Sequence, residues 1–317
     1  MAKKIKLIMY GLSVVNGQNK RVLLNHMQNG DKFVDVVESY ILNKLNNYST
    51  DSKKEILFQF DAVSSEVVCN DLGQEKCRIV YGRVKTGEYG VESDLVDIET
   101  YQVSKRSASQ ADMMPFGFCI VVPAGKVERA VIVLQTTGVF GMKISLQSEL
   151  RKCMAEFCPD YKLLMNPIAP KEYLDKYLEH GILKKIRMIK YEIPEDEAEK
   201  IGVNYGVRDT KEERIIHKPT GFLERKKQAL KECIAGQRSH TDIVEITDFK
   251  YDDLKLEFSL EGVNKTFDLG NMDSIVISED ITKKVQMENG NPLYTSLKPQ
   301  MKNAALPCLR DMGLLDE

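Results

Sequence analysis

The sequence has few of the features that mark membrane or secreted proteins. It contains no apolar run of about 18 residues, the length that a membrane-spanning helix needs, and no signal-peptide pattern at its start. Its seven cysteines are odd in number and lie mostly within apolar patterns, which is typical of reduced core residues. We therefore expect a cytoplasmic protein.

An excess of charge of one sign is also lacking. The 45 Lys and Arg residues and the 47 Asp and Glu residues leave a net charge of −2. This balance argues against a protein that works by overall attraction to DNA or to an anionic membrane. Any contact with a polyanion would need a local basic patch.

Catalytic motifs are missing as well. The four histidines have no cysteine or histidine at the spacing of metal ligands, no serine lies in a G-x-S-x-G turn, and no cysteine has the context of a nucleophile. The sequence therefore predicts no catalytic residue, no metal ligand and no cofactor.

One enzymatic alternative stays open, a metal-dependent nuclease. Such an enzyme would need two or three carboxylates that converge on Mg²⁺, with a lysine nearby. Two acidic clusters could supply them: Glu92, Asp94, Asp97 and Glu99, and Glu195, Asp196, Glu197 and Glu199. Clusters of this kind are more often solvated faces, so this function ranks last.

The clearest pattern is a pair of apolar runs in the middle of the chain. Residues 116–122 and 130–134, joined by Pro123-Ala124-Gly125, predict a buried antiparallel hairpin over 116–134. Apolar residues then recur at helical spacing and predict a helix over 146–157 that packs on the hairpin. The predicted core consists of Phe116, Phe118, Ile120, Val122, Val131, Val133, Leu146, Leu150 and Met154.

The neighbouring segments of the first half read mostly as sheet. Residues 56–63 and 78–84 alternate as strands do, and 97–103 is a weaker strand candidate. The glycine-containing segment 82–90 favours a turn or bulge over a phosphate loop, because no helical pattern follows it. The small and polar residues of 104–114 predict a surface loop.

Basic residues concentrate on two elements of the second half. The strand predicted over 182–193 carries Lys184, Lys185, Arg187 and Lys190, and the helix predicted over 221–235 carries Arg225, Lys226, Lys227 and Lys231. Lys218 precedes this helix and Arg238 follows it. Between the two elements, 204–219 is rich in charge and predicts an exposed connection.

These patterns together predict an α+β protein of two lobes, with mixed, mostly antiparallel sheets and packed helices. The first domain covers 1–158 and the second covers 159–317. A closing helix within 297–312 is expected to be limited or broken by Pro299 and Pro307.

Three long segments resemble the layout of the RexA-type phage-exclusion proteins. They are ADMMPFGFCIVVPAGKVERAVIVLQTTGVFGMKISLQSEL (111–150), YKLLMNPIAPKEYLDKYLEHGILKKIRMIKYEIP (161–194) and SHTDIVEITDFKYDDLKLEFSLEGVNKTF (239–267). The likeness lies in the order and apolar pattern of the segments. It implies a dimeric, non-enzymatic protein that binds DNA with little sequence preference, senses phage infection and acts with a membrane partner. It fixes the role of no individual residue.

The leading hypothesis is therefore a phage-defence protein that binds nucleic acid, most simply DNA, through the eight basic residues of the strand and the helix. If these residues meet in the fold, about six to ten phosphate contacts would make binding strongly salt-dependent and independent of sequence. An interaction protein that uses its basic faces to bind an acidic protein partner, and ignores DNA, ranks second. A homo-oligomer and a protein partner at the membrane complete the expectation.

Overall fold

The computed structural model describes residues 3–168, 171–191, 211–235, 237–247, 249–260, 263–270 and 278–315. Contacts divide the chain into two compact units, Met1–Asn166 with Ser278–Glu317, and Pro167–Ile277. Antiparallel sheets with packed helices build both units, which confirms the predicted α+β class.

The helices and strands of the described residues are named here in chain order. The first-unit strands that precede the second unit are β1 (Ile5–Val15), β2 (Tyr48–Asp51), β3 (Ile56–Cys69), β4 (Glu75–Glu88), β5 (Ser93–Val96), β6 (Val103–Arg106), β7 (Met114–Pro123), β8 (Ala130–Thr137), β9 (Phe140–Gly141) and β10 (Lys162–Pro167). The second unit adds β11 (Ile182–Lys190), β12 (Glu212–His217), β13 (Asp253–Leu260) and β14 (Val263–Asp268). The chain then returns to the first unit with β15 (Ser278–Asp280), β16 (Met287–Glu288) and β17 (Asn291–Pro292). The helices are α1 (Phe33–Lys44), α2 (Lys143–Phe157), α3 (Lys171–His180), α4 (Phe222–Ile234) and α5 (Tyr294–Asp311).

The first unit is built on one large antiparallel sheet. Its strand order is β10-β1-β8-β7-β4-β3-β2, with β15 added beside β1 and β9 beside β8. Residues of α1 and α2 share one hydrophobic cluster with one face of this sheet. On the central strands β1, β4, β7 and β8 the sheet is also contacted by α5.

The central hairpin is buried on both of its faces. β7 and β8 pair in antiparallel register, with Phe118 opposite Leu134 and Val121 opposite Val131. Phe118 belongs to the cluster that α1 and α2 cover. Val131 alternates to the other face and is also fully buried. All nine predicted core residues are buried, so the predicted hairpin and core are confirmed.

Close packing inside this sheet requires glycine at one position. Gly82 on β4 lies opposite Phe118 on β7, and a Cβ at Gly82 would lie 2.1 Å from the Phe118 ring. A side chain at this position would displace the ring from the cluster under α1 and α2. The glycine predicted to mark a turn or bulge therefore lies within a strand, where it makes room for an aromatic ring.

The second unit is a smaller sheet in the order β12-β11-β13-β14. Tyr177 of α3 packs edge to face against Phe258 and Phe267 of the sheet, with ring centroids 6.2 and 5.2 Å away. Leu183, Ile186 and Met188 are the buried residues that β11 directs to the same face. This face, which α3 covers, is called the helix face below.

The division of the chain differs from the sequence-based boundary at 158. The first unit ends at Asn166, and it also contains Ser278–Glu317, which the sequence analysis placed in the second domain. The reason is pairing: β15 joins β1, with Leu7 opposite Glu279, and α5 covers the sheet. A strand pairing between distant parts of the chain leaves no local signal in the sequence.

Three local predictions are corrected. Within 204–219, residues Glu212–His217 form the edge strand β12. Pairing with β11 stabilises this strand, whose own sequence has little apolar content. Residues 97–102 form the turn between β5 and β6 instead of a strand. Helix α5 continues through Pro299 and Pro307, because its buried stripe packs on the sheet and outweighs the lost backbone hydrogen bonds.

No helix within the described ranges has the length and apolar character needed to cross a membrane.

Replacing Leu150 by Ala tests the core. Leu150 on α2 is fully buried, so the variant is expected to lose about 2 to 5 kcal/mol of unfolding free energy. Urea denaturation followed by circular dichroism measures this loss. Arg151 on the same helix is exposed, and the control Arg151→Ala is expected to change stability by less than about 0.5 kcal/mol. Equal losses in both variants would contradict the packing of α2.

Candidate nucleic-acid interface

The basic strand directs two of its cations away from the helix face. Lys185 and Arg187 alternate along β11 with Ile186 and Met188, which are buried under the helices. Lys185 and Arg187 therefore lie on the opposite, open face of the sheet. Lys184 sits at an irregularity of the ladder between Leu183 and Lys185.

Carboxylates of the neighbouring strands neutralise the cations on this open face. Lys185 Nζ lies 3.1 Å from Glu257 Oε2 on β13, and Arg187 pairs with Glu213 on β12. The hydrogen bond with Glu213 raises the pKa of the Arg187 guanidinium, and the same bond lowers the pKa of Glu213. Neither cation is available to a phosphate without breaking an existing pair.

Two cations of the basic helix are also paired. Lys227 and Lys231 of α4 both bind the carboxylate of Glu179 on α3, and Lys231 Nζ lies 2.9 Å from Glu179 Oε1. Hydrogen bonds from these two lysines lower the pKa of Glu179 from 4.5 to about 2. The pairs hold α4 to α3, and the one carboxylate offsets one of the two lysine charges.

Lys218, Arg225 and Lys226 lie close to the start of α4 along the chain, and the backbone of Lys184 pairs with that of Lys218. The backbone N–H of Lys218 donates to the carbonyl oxygen of Lys184 across 2.8 Å, which places these two lysines side by side. Lys218 lies four residues before α4, and Arg225 and Lys226 lie in its first two turns. Within the described residues, none of the four forms an ion pair with a carboxylate. We call Lys184, Lys218, Arg225 and Lys226 the α4-end cluster.

The backbone adds to the positive potential of this cluster. Gly221 is the N-cap of α4 in a left-handed conformation, with φ of 80°, and it supplies no side-chain cap. The first amide groups of α4 and the positive end of its helix dipole therefore add positive potential near Arg225 and Lys226, and the carboxylate of Glu224 in the same turn offsets part of it. Lys190 lies at the far end of β11, opposite Glu212, and Arg238 pairs with Glu232 at 3.0 Å, so neither joins the cluster.

The structure thus divides the eight predicted residues instead of collecting them on one surface. Lys184 lies beside Lys218, which precedes the helix that carries Arg225 and Lys226, whereas Lys185 and Arg187 lie on the open face, Lys190 lies at the far end of β11, and Lys227 and Lys231 are tied to Glu179. The contribution of Lys218 depends on β12, whose pairing the sequence did not predict.

The carboxylates considered for a nuclease lie elsewhere. Glu92, Asp94, Asp97 and Glu99 are exposed residues of the β5–β6 ribbon, and 195–199 lies outside the described residues. Among the residues that the structure describes, no group of three or more His, Cys, Asp or Glu side chains is arranged to hold a metal ion.

The β5–β6 ribbon is a second exposed feature, and its tip is apolar. Ile98 is 87% exposed and Tyr101 is 78% exposed. Between them the turn is ordered by Asp97, whose Oδ1 accepts hydrogen bonds from the backbone N–H groups of Glu99 at 2.9 Å and Thr100 at 2.7 Å. The ribbon therefore presents two apolar side chains to solvent in a defined conformation.

Comparison of the chain with protein-family models and with curated proteins finds no match.

The pairing of Glu179 predicts how its carboxyl titrates. In the folded protein its pKa is expected near 2, and Lys227→Gln/Lys231→Gln should raise it toward 4.5. Because the folded pKa lies below the unfolded one, the pair stabilises the protein above pH 4.5, and this contribution is lost as the pH falls toward 2. Carbon-detected NMR of the side-chain carboxyl measures the titration.

Arg225→Gln/Lys226→Gln removes the same charge from α4 and serves as the control. It should leave the Glu179 titration unchanged, because neither residue pairs with Glu179. An equal rise of the pKa in both variants would mean that the general charge of α4, and not the two ion pairs, holds Glu179 ionised.

Proposed function

We propose that this protein is a non-enzymatic phage-defence protein that binds nucleic acid through the α4-end cluster. The observation that supports the proposal is that Lys184, Lys218, Arg225 and Lys226 have no carboxylate partner among the described residues. Such cations form new ion pairs when they bind phosphates, without breaking an ion pair inside the protein. The binding releases the counterions that were associated with the phosphates.

The geometry favours phosphate contacts over base reading. The cluster combines four flexible side chains with the amide groups at the start of a helix, both of which suit phosphate oxygens. Contacts of this kind position a protein on the duplex and carry no sequence information. We therefore propose binding with little sequence preference, to DNA in the first place.

The cellular setting follows from the cysteines and from the resemblance. All seven cysteines are free and six of them are buried, as expected in a reducing compartment, so we propose that the protein acts in the cytoplasm. The likeness to RexA-type proteins supports a further step in which nucleic-acid binding is signalled to a protein partner at the membrane.

Salt titration of DNA binding tests the proposed interface. Four phosphate contacts predict a slope of about −3.6 in a plot of log K against log salt, and so about 150-fold weaker binding at 200 mM than at 50 mM salt. Fluorescence anisotropy with two unrelated duplexes measures this slope, which should be the same for both. The variant Lys184→Gln/Lys218→Gln/Arg225→Gln/Lys226→Gln should abolish the binding.

The matched control removes the same charge from the first unit. Lys20, Arg21, Lys126 and Arg129 are exposed residues, and their joint replacement by Gln lowers the net charge equally. This variant should bind DNA almost as the parent protein does. Undetectable binding of the parent protein at 50 mM salt, or equal weakening by both variants, would rule out the proposed interface.

The second part of the proposal is self-association through the tip of the β5–β6 ribbon. Its tip carries two apolar side chains, Ile98 and Tyr101, together with the carboxylates of Asp97 and Glu99. An exposed surface of the first unit matches this chemistry: Val139, Phe140 and Ile144 are 94, 49 and 59% exposed, and Lys3 Nζ lies 5.4 Å from the centre of the Phe140 ring.

Position also suits a symmetric dimer. Phe140 lines the same cavity as Arg106, the last residue of β6, so this apolar surface adjoins the base of the ribbon. If the ribbons of two protomers lie antiparallel, the tip of each ribbon contacts the base of the other. The result is a closed contact with two-fold symmetry. We propose this arrangement for the expected homo-oligomer.

Sedimentation equilibrium tests the dimer over a range of protein concentrations. Ile98→Ser/Tyr101→Ser is expected to weaken the dimer at least about 100-fold, because each anchor is lost twice in a two-fold contact. Leu72→Ser is the control, since Leu72 is 82% exposed at the separate turn between β3 and β4. A parent protein that is monomeric at high concentration would exclude the contact, and so would a tip variant that still dimerises.

A further inference from the structure

A cavity of about 220 Å³ lies in the first unit. It is enclosed by the end of β4, the start of β7, the segment that follows β6, and the first turn of α2. Phe140, which belongs to the apolar surface proposed for the dimer, lies at its edge as one of the lining residues. Its lining combines apolar side chains with polar and charged ones, the composition of a small-molecule site.

Arg106 is the cation of this cavity. Its Nη2 donates to the carbonyl oxygen of Val91 at 3.3 Å, but its Nε is buried and has no hydrogen-bond partner among the described residues. A buried donor without an acceptor is unfavourable, and each such group in a folded protein calls for an explanation. The Nε atom is closed off from the cavity, so a ligand would reach the guanidinium at its Nη atoms, and a carboxylate is the group that pairs with them in a planar fork.

Two hydroxyl groups add a further hydrogen-bonding position. Thr86 Oγ1 and Ser145 Oγ lie 3.1 Å apart, and both residues line the cavity. The bond between them uses one of the two hydroxyl protons. The other proton is free to be donated to an acceptor in the cavity, so the pair can support the same anionic group or a neighbouring one.

Carboxylates occupy the exposed part of the lining. Glu88 and Asp112 are both exposed, and neither forms an ion pair with another residue that the structure describes. Their charge disfavours a ligand with two negative charges, such as a phosphate monoester. It suits a ligand that carries a cation beside its anion.

Apolar groups and size complete the description of the ligand. Phe116 is buried at the cavity wall, and Ile56 and Met114 lie beside it in the lining. A dry cavity of about 150 Å³ holds benzene with its six carbon atoms, so the present space holds about nine non-hydrogen atoms in proportion. Leucine and methionine have that size, and each carries one carboxylate, one ammonium group and an apolar side chain.

We propose that this cavity binds a free α-amino acid with an apolar side chain of the size of leucine. The carboxylate binds Arg106, the ammonium group binds Glu88 or Asp112, and the side chain packs on Ile56 and Met114, which are partly exposed apolar residues of the lining. This site is independent of the proposed nucleic-acid interface, because all of its residues belong to the first unit.

Isothermal titration calorimetry of the full chain with L-leucine and L-methionine tests the proposal. Both should bind, and three probes should each bind at least about 30-fold more weakly than leucine. Leucinamide lacks the carboxylate, 4-methylpentanoate lacks the ammonium group, and glycine lacks the side chain. Absence of binding by leucine and methionine at millimolar concentration would overturn the proposal.

Variants separate the two ends of the ligand. Arg106→Leu should weaken leucine binding at least about 30-fold, whereas Arg129→Leu, a substitution of an exposed arginine on the turn between β7 and β8, should leave it unchanged. Leucine binding that survives Arg106→Leu would overturn the proposal.

A second variant tests the site even if Arg106→Leu fails to fold. Glu88→Gln/Asp112→Asn alters two exposed side chains, so the fold should be retained. It should weaken the binding of leucine at least about 30-fold. The binding of 4-methylpentanoate, which has no ammonium group, should be unchanged or tighter. Equal affinity of the variant and the parent protein for leucine would contradict the proposed position of the ammonium group.

Discussion

Burial of the β7–β8 hairpin on both faces is the constraint on which the first unit depends. Every residue from Ala130 to Leu134 is buried, so each face of the hairpin needs its own cover. Helices α1 and α2 supply one cover, and α5, from the far end of the chain, supplies the other. The same requirement explains why α5 tolerates two internal prolines, since the apolar area that it buries outweighs two missing backbone hydrogen bonds.

Ion pairing has the corresponding role in the second unit, because it decides which cations can act. A run of lysines and arginines on one strand suggests a basic surface, but β12 and β13 place glutamates opposite Lys185 and Arg187. Glu179 does the same for Lys227 and Lys231. Charge that is matched inside the protein contributes to the contact between elements, and only unmatched charge remains for a ligand. The four residues of the α4-end cluster are among the cations that this selection leaves.

Local sequence patterns were sufficient to predict a segment's structure where its own residues favour that structure. The apolar runs of 116–134 predicted the hairpin, and the helical spacing of Leu146, Leu150 and Met154 predicted α2 and its buried face. Segments that fold only because of a neighbour were missed. β12 is polar and is held as a strand by β11, and residues 97–102 form a turn because Asp97 binds the amides of Glu99 and Thr100.

The sequence by itself determined the α+β class, the hairpin core and the two basic elements, because apolar spacing and residue type are local properties. Only the tertiary structure decided which chain end covers the first sheet, which cations pair with carboxylates, and how Lys218 reaches Lys184. It also decided that Arg106 shares a cavity with Thr86 and Ser145, residues far apart in the chain. The physical reason is that the energy of a charge or a polar group depends on its neighbours in space, and chain order does not record them.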